Sequence, residues 1–353
     1  MIERIIIENY KSIRKVDLYL RPINILIGAN GAGKSNFISF FELANRVFTG
    51  EIEQYSKKKL ASNLLYRGLK YSDHISGLLD FDNIRVYRFN LTPQQDESLN
   101  RTQVGFRLNL HENPNKNYDQ WHESSSSMAW RDNLDKLTIN YLDSFRIYHF
   151  HDTSDTSPMK QSGPLDDNHY LRSDAGNLSA FLYVLQEKHP QHFRRIEMTI
   201  RSIAPFFEKF DLKPRNLNPD QIKMEWKERD SDMYMDAHNL SDGTLRFIAL
   251  AALMLQPDPP KTIIIDEPEL GLHPFAIHKL AALIKKVSAQ SQVIISTQSV
   301  ELVNQFDPED VITVDRAENQ SVFHRLDSKN LYRWLEEFSL GDIWQKNIIG
   351  GQP

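Results

Sequence analysis

An α/β fold with a mixed central sheet flanked by helices is what this sequence predicts, and three segments carry the prediction. Residues 23–27 (Ile-Asn-Ile-Leu-Ile), 262–265 (Thr-Ile-Ile-Ile) and 292–295 (Gln-Val-Ile-Ile) are short, near-continuous aliphatic runs. Strands covered on both faces need such runs, because neither side of the strand meets water. Amphipathic helices lie between them. One starts at about Lys34 and carries Phe37, Ile38, Phe40, Phe41 and Leu43; another spans residues 275–289. Strands alternating with helices predict a largely parallel sheet.

The first strand opens into Gly28-Ala29-Asn30-Gly31-Ala32-Gly33-Lys34-Ser35, which fits the phosphate-binding pattern G-x-x-x-x-G-K-[ST] at every fixed position. The glycines let the backbone curl into a ring of N–H donors, and the helix start adds a dipole that favours negative charge. Asn30, Gly31, Ala32, Gly33, Lys34 and Ser35 are therefore candidate nucleotide-binding residues. Lys34 supplies a point charge for the β- and γ-phosphates, and Ser35 an oxygen for Mg²⁺. The strand at 262–265 ends in Asp266-Glu267. Asp266 is the second candidate Mg²⁺ ligand, and Glu267 the candidate that orients or deprotonates an attacking water. Two adjacent carboxylates repel unless a cation and a water share them. Together these segments predict a nucleoside triphosphatase using ATP and Mg²⁺.

Between them lies Leu240-Ser241-Asp242-Gly243-Thr244, opening an apolar helix at residues 245–255. Ser241 is a good N-cap, and a helix start exposes N–H groups without intrahelical partners. Ser241 and Gly243 thus mark a second anion site in a chain that already has one.

With these motifs in place, the chain resembles the RecF-like and SMC-like (structural maintenance of chromosomes) branch of the ABC-type ATPases, in particular its stand-alone predicted ATPases. The likeness rests on Ile5-Ile6-Ile7-Glu8-Asn9-Tyr10-Lys11-Ser12, the glycine loop, residues 239–246 and 263–274 with Glu269-Leu270-Gly271-Leu272-His273-Pro274. Ser296-Thr297-Gln298-Ser299, Ser339-Leu340-Gly341-Asp342 and Gly350-Gly351-Gln352-Pro353 extend it. The resemblance implies an ABC-type ATPase head that forms an ATP sandwich, with Ser241 and Gly243 of one copy facing the γ-phosphate held by the other. It implies a D-loop at residues 270–273 and a place beside the nucleotide for Lys11 and Ser12. Families of this type often carry His where this chain has Gln298. A glutamine still donates a hydrogen bond but cannot carry charge or shuttle a proton, so slow turnover is expected. The stretch His149-Phe150-His151-Asp152-Thr153-Ser154-Asp155 falls where such ATPases place a Q-loop, with His151 or Asp152 as the sensing group. A packed strand end and a metal-bound site are the competing readings.

The chain has 353 residues, a net charge of −5 and no cysteine. Disulfides and cysteine-ligated zinc are thereby excluded. No apolar run approaches a membrane span and no signal peptide is evident, which predicts a cytoplasmic location without a membrane partner. Basic runs at Lys57-Lys58-Lys59 and Arg194-Arg195 read as solvated faces. One ATPase head over 1–353 is expected: 1–50 with the glycine loop, 51–150 an antiparallel β elaboration, 151–235 a helical insertion, 236–353 the signature, the Asp-Glu strand and a C-terminal segment. Residues 84–91 and 104–111 alternate like antiparallel strands, 113–117 read as a turn and 124–127 as a polar loop. Residues 145–150 read as a strand, 177–210 as helices, 310–314 with 321–326 as a strand pair at the sheet edge, and 331–338 as a helix. No heptads are sustained, so no coiled-coil arm is expected. Residues 300–353 lack the Glu…Asp-x-Asp set of a Toprim nuclease. The expected partners are a second copy of the chain and a separately encoded effector, a nuclease or toxin in anti-phage defence. The alternative is a RecF-like DNA-repair ATPase that clamps duplex DNA, which keeps nucleic acid open as a partner.

Overall fold

The computed structural model describes residues 1–81, 85–108 and 136–351. The chain divides into two compact units. The first holds Met1–Ile147, Pro260–Ile264 and Ser291–Pro353; the second holds Tyr148–Pro259 and Ile265–Gln290.

In the first unit a five-stranded antiparallel sheet runs in the order Ile13–Tyr19, Ile2–Tyr10, Ile75–Phe81, Arg85–Pro93, Leu99–Leu108. A six-stranded mixed sheet has the order Gln320–Arg325, Val311–Ala317, Ile23–Gly28, Gln292–Thr297, Thr262–Asp266, Ile147–Tyr148. The strand Ile23–Gly28 is parallel to both its neighbours, with Val293 opposite Ile23 and Val314 opposite Gly28. All its residues are buried, as its aliphatic sequence requires. The helix Lys34–Thr49 packs against both sheets. Its Phe40 lies 5.5 Å from Tyr10 and 5.7 Å from Phe89, and its Phe37 lies 5.3 Å from Phe323. One apolar cluster joins these rings to Ile264, Ile294, Ile312 and Val314 of the mixed sheet.

The second unit is built on the helix Asp242–Leu255, buried along nearly its whole length, as a helix apolar on every side should be. Helices Pro190–Ile203 and Pro274–Val287 pack on it. Two small antiparallel sheets complete the unit: Tyr234–Asp236, Glu225–Glu228, Phe207–Asp211, and Pro214–Arg215, Asn218–Ile222, Gly163–Pro164.

Several segments differ from the expectations. Residues 177–210 contain helices Leu178–Lys188 and Pro190–Ile203, but Phe207–Asp211 is a strand, because Pro205 ends the helical run and Phe207 packs on both Phe210 and Trp226. Residues 151–235 therefore carry short strands as well as helices; these are polar two- to five-residue pieces with no apolar run to announce them. Of residues 145–150 only Ile147–Tyr148 is strand. The pair at 311–317 and 320–325 forms a hairpin at the sheet edge, and its inner strand lies directly against Ile23–Gly28. Residues 109–111, the turn at 113–117 and the polar loop at 124–127 fall outside the described residues. The longest helix among the described residues is Lys34–Thr49, with 16 residues.

Candidate functional site

The glycine loop joins the buried strand Ile23–Gly28 to the helix Lys34–Thr49 in the first unit. Gly31 and Gly33 have φ of 78° and 122°, backbone that side-chain-bearing residues avoid. A Cβ on Gly33 would collide with Ser321 Oγ at 2.0 Å and crowd Ser12 Oγ at 2.9 Å. Lys34 is only 6% exposed, and its Nζ donates to the carbonyls of Gly28 (2.6 Å) and Ala29 (3.1 Å). No side chain caps this helix, and its first turn lacks an acidic residue. Asn30, Gly31 and Ser35 are exposed, whereas Ala32, Gly33 and Lys34 are buried. A buried ammonium behind an open turn at an uncapped helix start is an electropositive cradle, and its donor set fits a polyphosphate.

Other elements hold this loop from behind. Ser12 Oγ lies 2.6 Å from Ser321 Oγ and accepts from Asn36 Nδ2 at 2.7 Å. Ser321 Oγ also bonds the Ala32 carbonyl, and Arg316 reaches the Gly31 carbonyl at 3.4 Å. Ser12 is thus wired to the loop itself. Lys11, with φ of 49°, sends its Nζ to Ser39 Oγ at 2.8 Å, one turn along the helix from Ser35. Burial pushes the Lys11 ammonium below its ordinary pKa, with Lys59 adding to the effect. Gln298, exposed at the end of Gln292–Thr297, shares a cavity of about 420 Å³ with Gly28, Ala29 and Asn30. Ser321 and Arg316 were not singled out from the sequence. They are far from the loop along the chain, and only the hairpin's placement beside Ile23–Gly28 brings them there.

Ser241, Gly243, Asp266, Glu267, His151 and Asp152 belong to the second unit. Ser241 caps the helix Asp242–Leu255, its Oγ accepting from the Thr244 N–H at 3.2 Å. A Cβ on Gly243 would lie 2.5 Å from the Gly271 carbonyl, and Gly271 itself has φ of 72°. The signature turn therefore rests on the turn after the Asp-Glu pair, a contact only glycine permits. Glu267 has φ of 45°, a left-handed conformation that costs a non-glycine residue of the order of 1–3 kcal/mol. Strain of this kind is kept where the surroundings over-determine it.

Of the two Q-loop candidates, His151 Nε2–H donates to the Asp266 carbonyl at 2.9 Å. Asp152 is exposed: Ser154 Oγ donates to its carboxylate at 2.7 Å and holds its pKa below the usual range. Arg246 ties the surrounding turns together, donating to the carbonyls of Phe150 (3.1 Å), His151 (2.8 Å) and Leu270 (2.9 Å). The sequence placed it in the family-like stretch 239–246 without a role, although one signal existed: it is the single charged residue in the apolar run 245–255. Among the described residues no group of three or more His, Asp or Glu side chains converges as a metal site.

A mixed sheet whose parallel strand Ile23–Gly28 feeds a glycine loop into a helix, on a chain with these motifs, is the fold of the P-loop ATPases. This chain's fold is that of SMC heads. The chain is similar to the SMC head bound to the C-winged helix domain of ScpA (TM-score 0.65, 18% identity, covering 94% of this chain and 99% of that one). It is also similar to the Smc head domain with an extended coiled coil bound to the C-terminal domain of ScpA derived from Pyrococcus furiosus (0.59, 17%, 95% and 98%) and to the SMC head domain from Thermotoga maritima (0.51, 13%, 92% and 99%). No curated protein sequence matches it. Residues 23–304 match the family described as "AAA domain, putative AbiEii toxin, Type IV TA system", and the chain belongs to that family. No helix of its described residues is long and apolar enough to cross a membrane.

Proposed function

We propose that this chain binds and hydrolyses ATP, that two copies close on the nucleotide, and that the closed pair is a switch or scaffold for a separately encoded nuclease or toxin in anti-phage defence. One observation carries the reading: the buried Lys34, bound to the carbonyls of its own loop, behind an open turn at an uncapped helix start. In this reading the N–H groups of residues 31–35 and Lys34 bind the phosphates. Ser35 and Asp266 would hold Mg²⁺, which when bound offsets the charge of the phosphates. Glu267 orients the attacking water and receives its proton, and Gln298 donates its amide N–H to the terminal phosphate. Ser12 keeps Gly33 in register through Ser321, and Lys11 adds positive charge on the helix flank. His151 braces the Asp-Glu turn through the Asp266 carbonyl. Ser241 and Gly243 of the second copy supply donors that one copy lacks, and closure follows from the ligand's preference for the closed pair. The family's description names a toxin of a toxin–antitoxin system, and two of the SMC heads carry a bound ScpA domain. Both support a chain that works with a separate protein.

The test combines ATP turnover with light scattering on the wild type and Ser241→Ala. ATP-dependent pairing, with turnover that rises more steeply than protein concentration and falls at least tenfold in Ser241→Ala, is expected. Full turnover by a dilute single copy, or an unchanged rate in Ser241→Ala, defeats the shared site. Stimulation by duplex DNA with steep salt dependence would instead favour the repair reading.

A further inference from the structure

The segment after the helix Ser328–Leu335 returns to the glycine loop. Helix Leu340–Gln345 is anchored by the Gly341 N–H, which donates to Asn304 Oδ1 at 2.6 Å. The chain then turns back so that Gly351 lies on the floor of the loop. A Cβ on Gly351, whose φ is 77°, would touch Gly28 Cα at 3.4 Å. Two bonds fix Gly351 there. Its N–H donates to Asp315 Oδ1 at 2.6 Å, and its carbonyl accepts from the buried Trp344 indole Nε1–H at 3.2 Å. Asp315 follows Val314, the residue paired with Gly28. Trp344, Gln345 and Gly351 form the wall of the same cavity that Gly28, Ala29, Asn30 and Gln298 line.

We infer that Asp315 and Trp344 are positioning residues for the nucleotide site: acting through Gly351, they clamp the opening turn Gly28–Asn30 in its binding geometry. This rests on the ATP-binding reading above. A flexible turn must lose its freedom when phosphates bind, and that loss subtracts from affinity. A clamp already in place removes that cost. Both bonds reach the loop only through backbone atoms of Gly351, so neither residue need touch nucleotide.

Three variants separate positioning from mere packing. Trp344→Phe keeps the ring but deletes the indole donor. Asp315→Ala deletes the acceptor, and Asp315→Asn restores one at Oδ1. Amide hydrogen exchange at residues 28–31 in nucleotide-free protein and equilibrium binding of a non-hydrolysable ATP analogue are read on each, with Lys34→Ala as the control. Trp344→Phe and Asp315→Ala should exchange faster at 28–31 and bind the analogue about tenfold more weakly, the equivalent of one lost hydrogen bond. KM should rise by the same factor with kcat little changed, and Asp315→Asn should resemble the wild type. Unchanged exchange, or faster exchange without weaker binding, overturns the inference. Faster exchange in a wild-type background that binds no nucleotide leaves the clamp standing as a property of the turn but overturns its role in binding, and overturns the ATP-binding reading with it.

Discussion

Two helices of this protein begin beside a motif glycine, and they begin differently. The helix Lys34–Thr49 starts from Gly33, without a side-chain cap and without acid in its first turn. The helix Asp242–Leu255 starts from Ser241, whose hydroxyl accepts the Thr244 N–H and shares a 2.8 Å bond with the Thr244 hydroxyl, and its first turn contains Asp242. Read as sequence, both are helix N-termini ready for an anion. In the structure the first has no side-chain cap and a buried cation bonded to its own loop, while the second has satisfied a donor internally and carries a negative charge. A helix start of the first kind favours negative charge more than one of the second kind, whose own acid opposes an incoming anion. Under the proposed function, the contrast would give each copy a strong nucleotide site and the pair a weaker second contact.

Breaking the first helix start should have the largest effect. Lys34→Ala removes a charge-assisted donor and the only cation inside the loop sequence Gly28–Ser35. Affinity for a fluorescent ATP analogue should fall about a hundredfold. Equal affinity in the variant would mean that this helix start is not the tight site. Next in size, Glu267→Gln should lower turnover about a hundredfold or more while leaving binding intact. In light scattering it should accumulate as an ATP-bound pair, which gives a trapped state in which the second helix start can be probed. Normal hydrolysis by this variant would remove Glu267 from the chemistry.

Gln298→His has a smaller predicted effect, a several-fold rise in ATP turnover. The exposed Gln298 shares its cavity with the opening turn of the loop, so an imidazole there reaches the same space and adds a group able to carry a proton. A clear fall in rate would show that the glutamine amide is the working group.

What was legible beforehand follows from how each feature is encoded. The glycine loop, the Asp-Glu strand end and the signature turn are contiguous, and local chemistry fixes their shape, so strand, turn and helix could be placed from the residues alone. The supports were not legible. Ser321 on Ala32, Arg316 on Gly31 and Asp315 on Gly351 depend on the hairpin 311–325 lying against Ile23–Gly28, a pairing no local pattern specifies. The different surroundings of His151 and Asp152 were likewise tertiary. Both follow the short strand Ile147–Tyr148, and the Ser154 bond to Asp152 and the Asp266 carbonyl opposite His151 set them apart. The small sheets of the second unit were missed because strands such as Asn218–Ile222 and Glu225–Glu228 have mostly exposed or half-buried, polar positions.

The smallest predicted effect tests the comparison most directly. Asp242 is largely exposed, and the buried Lys160 has its Nζ 4.0 Å from the Asp242 carboxylate and equally 4.0 Å from that of Asp155. Asp242→Asn would remove the negative charge from the first turn and leave Lys160 with one acid fewer beside it. Both changes make the helix start more attractive to an anion. A charge near a helix end is worth about 0.3–1 kcal/mol, so the ATP-bound pair formed by Glu267→Gln should tighten about two- to fivefold when Asp242→Asn is added. The gain should shrink as salt is raised, because the carboxylate is exposed to screening. Thermal stability should change little, since Ser241 still supplies the cap. Weaker pairing in the double variant would mean that Asp242 contributes contacts of its own to closure, and that the two helix starts are not a strong and a weak version of the same anion site.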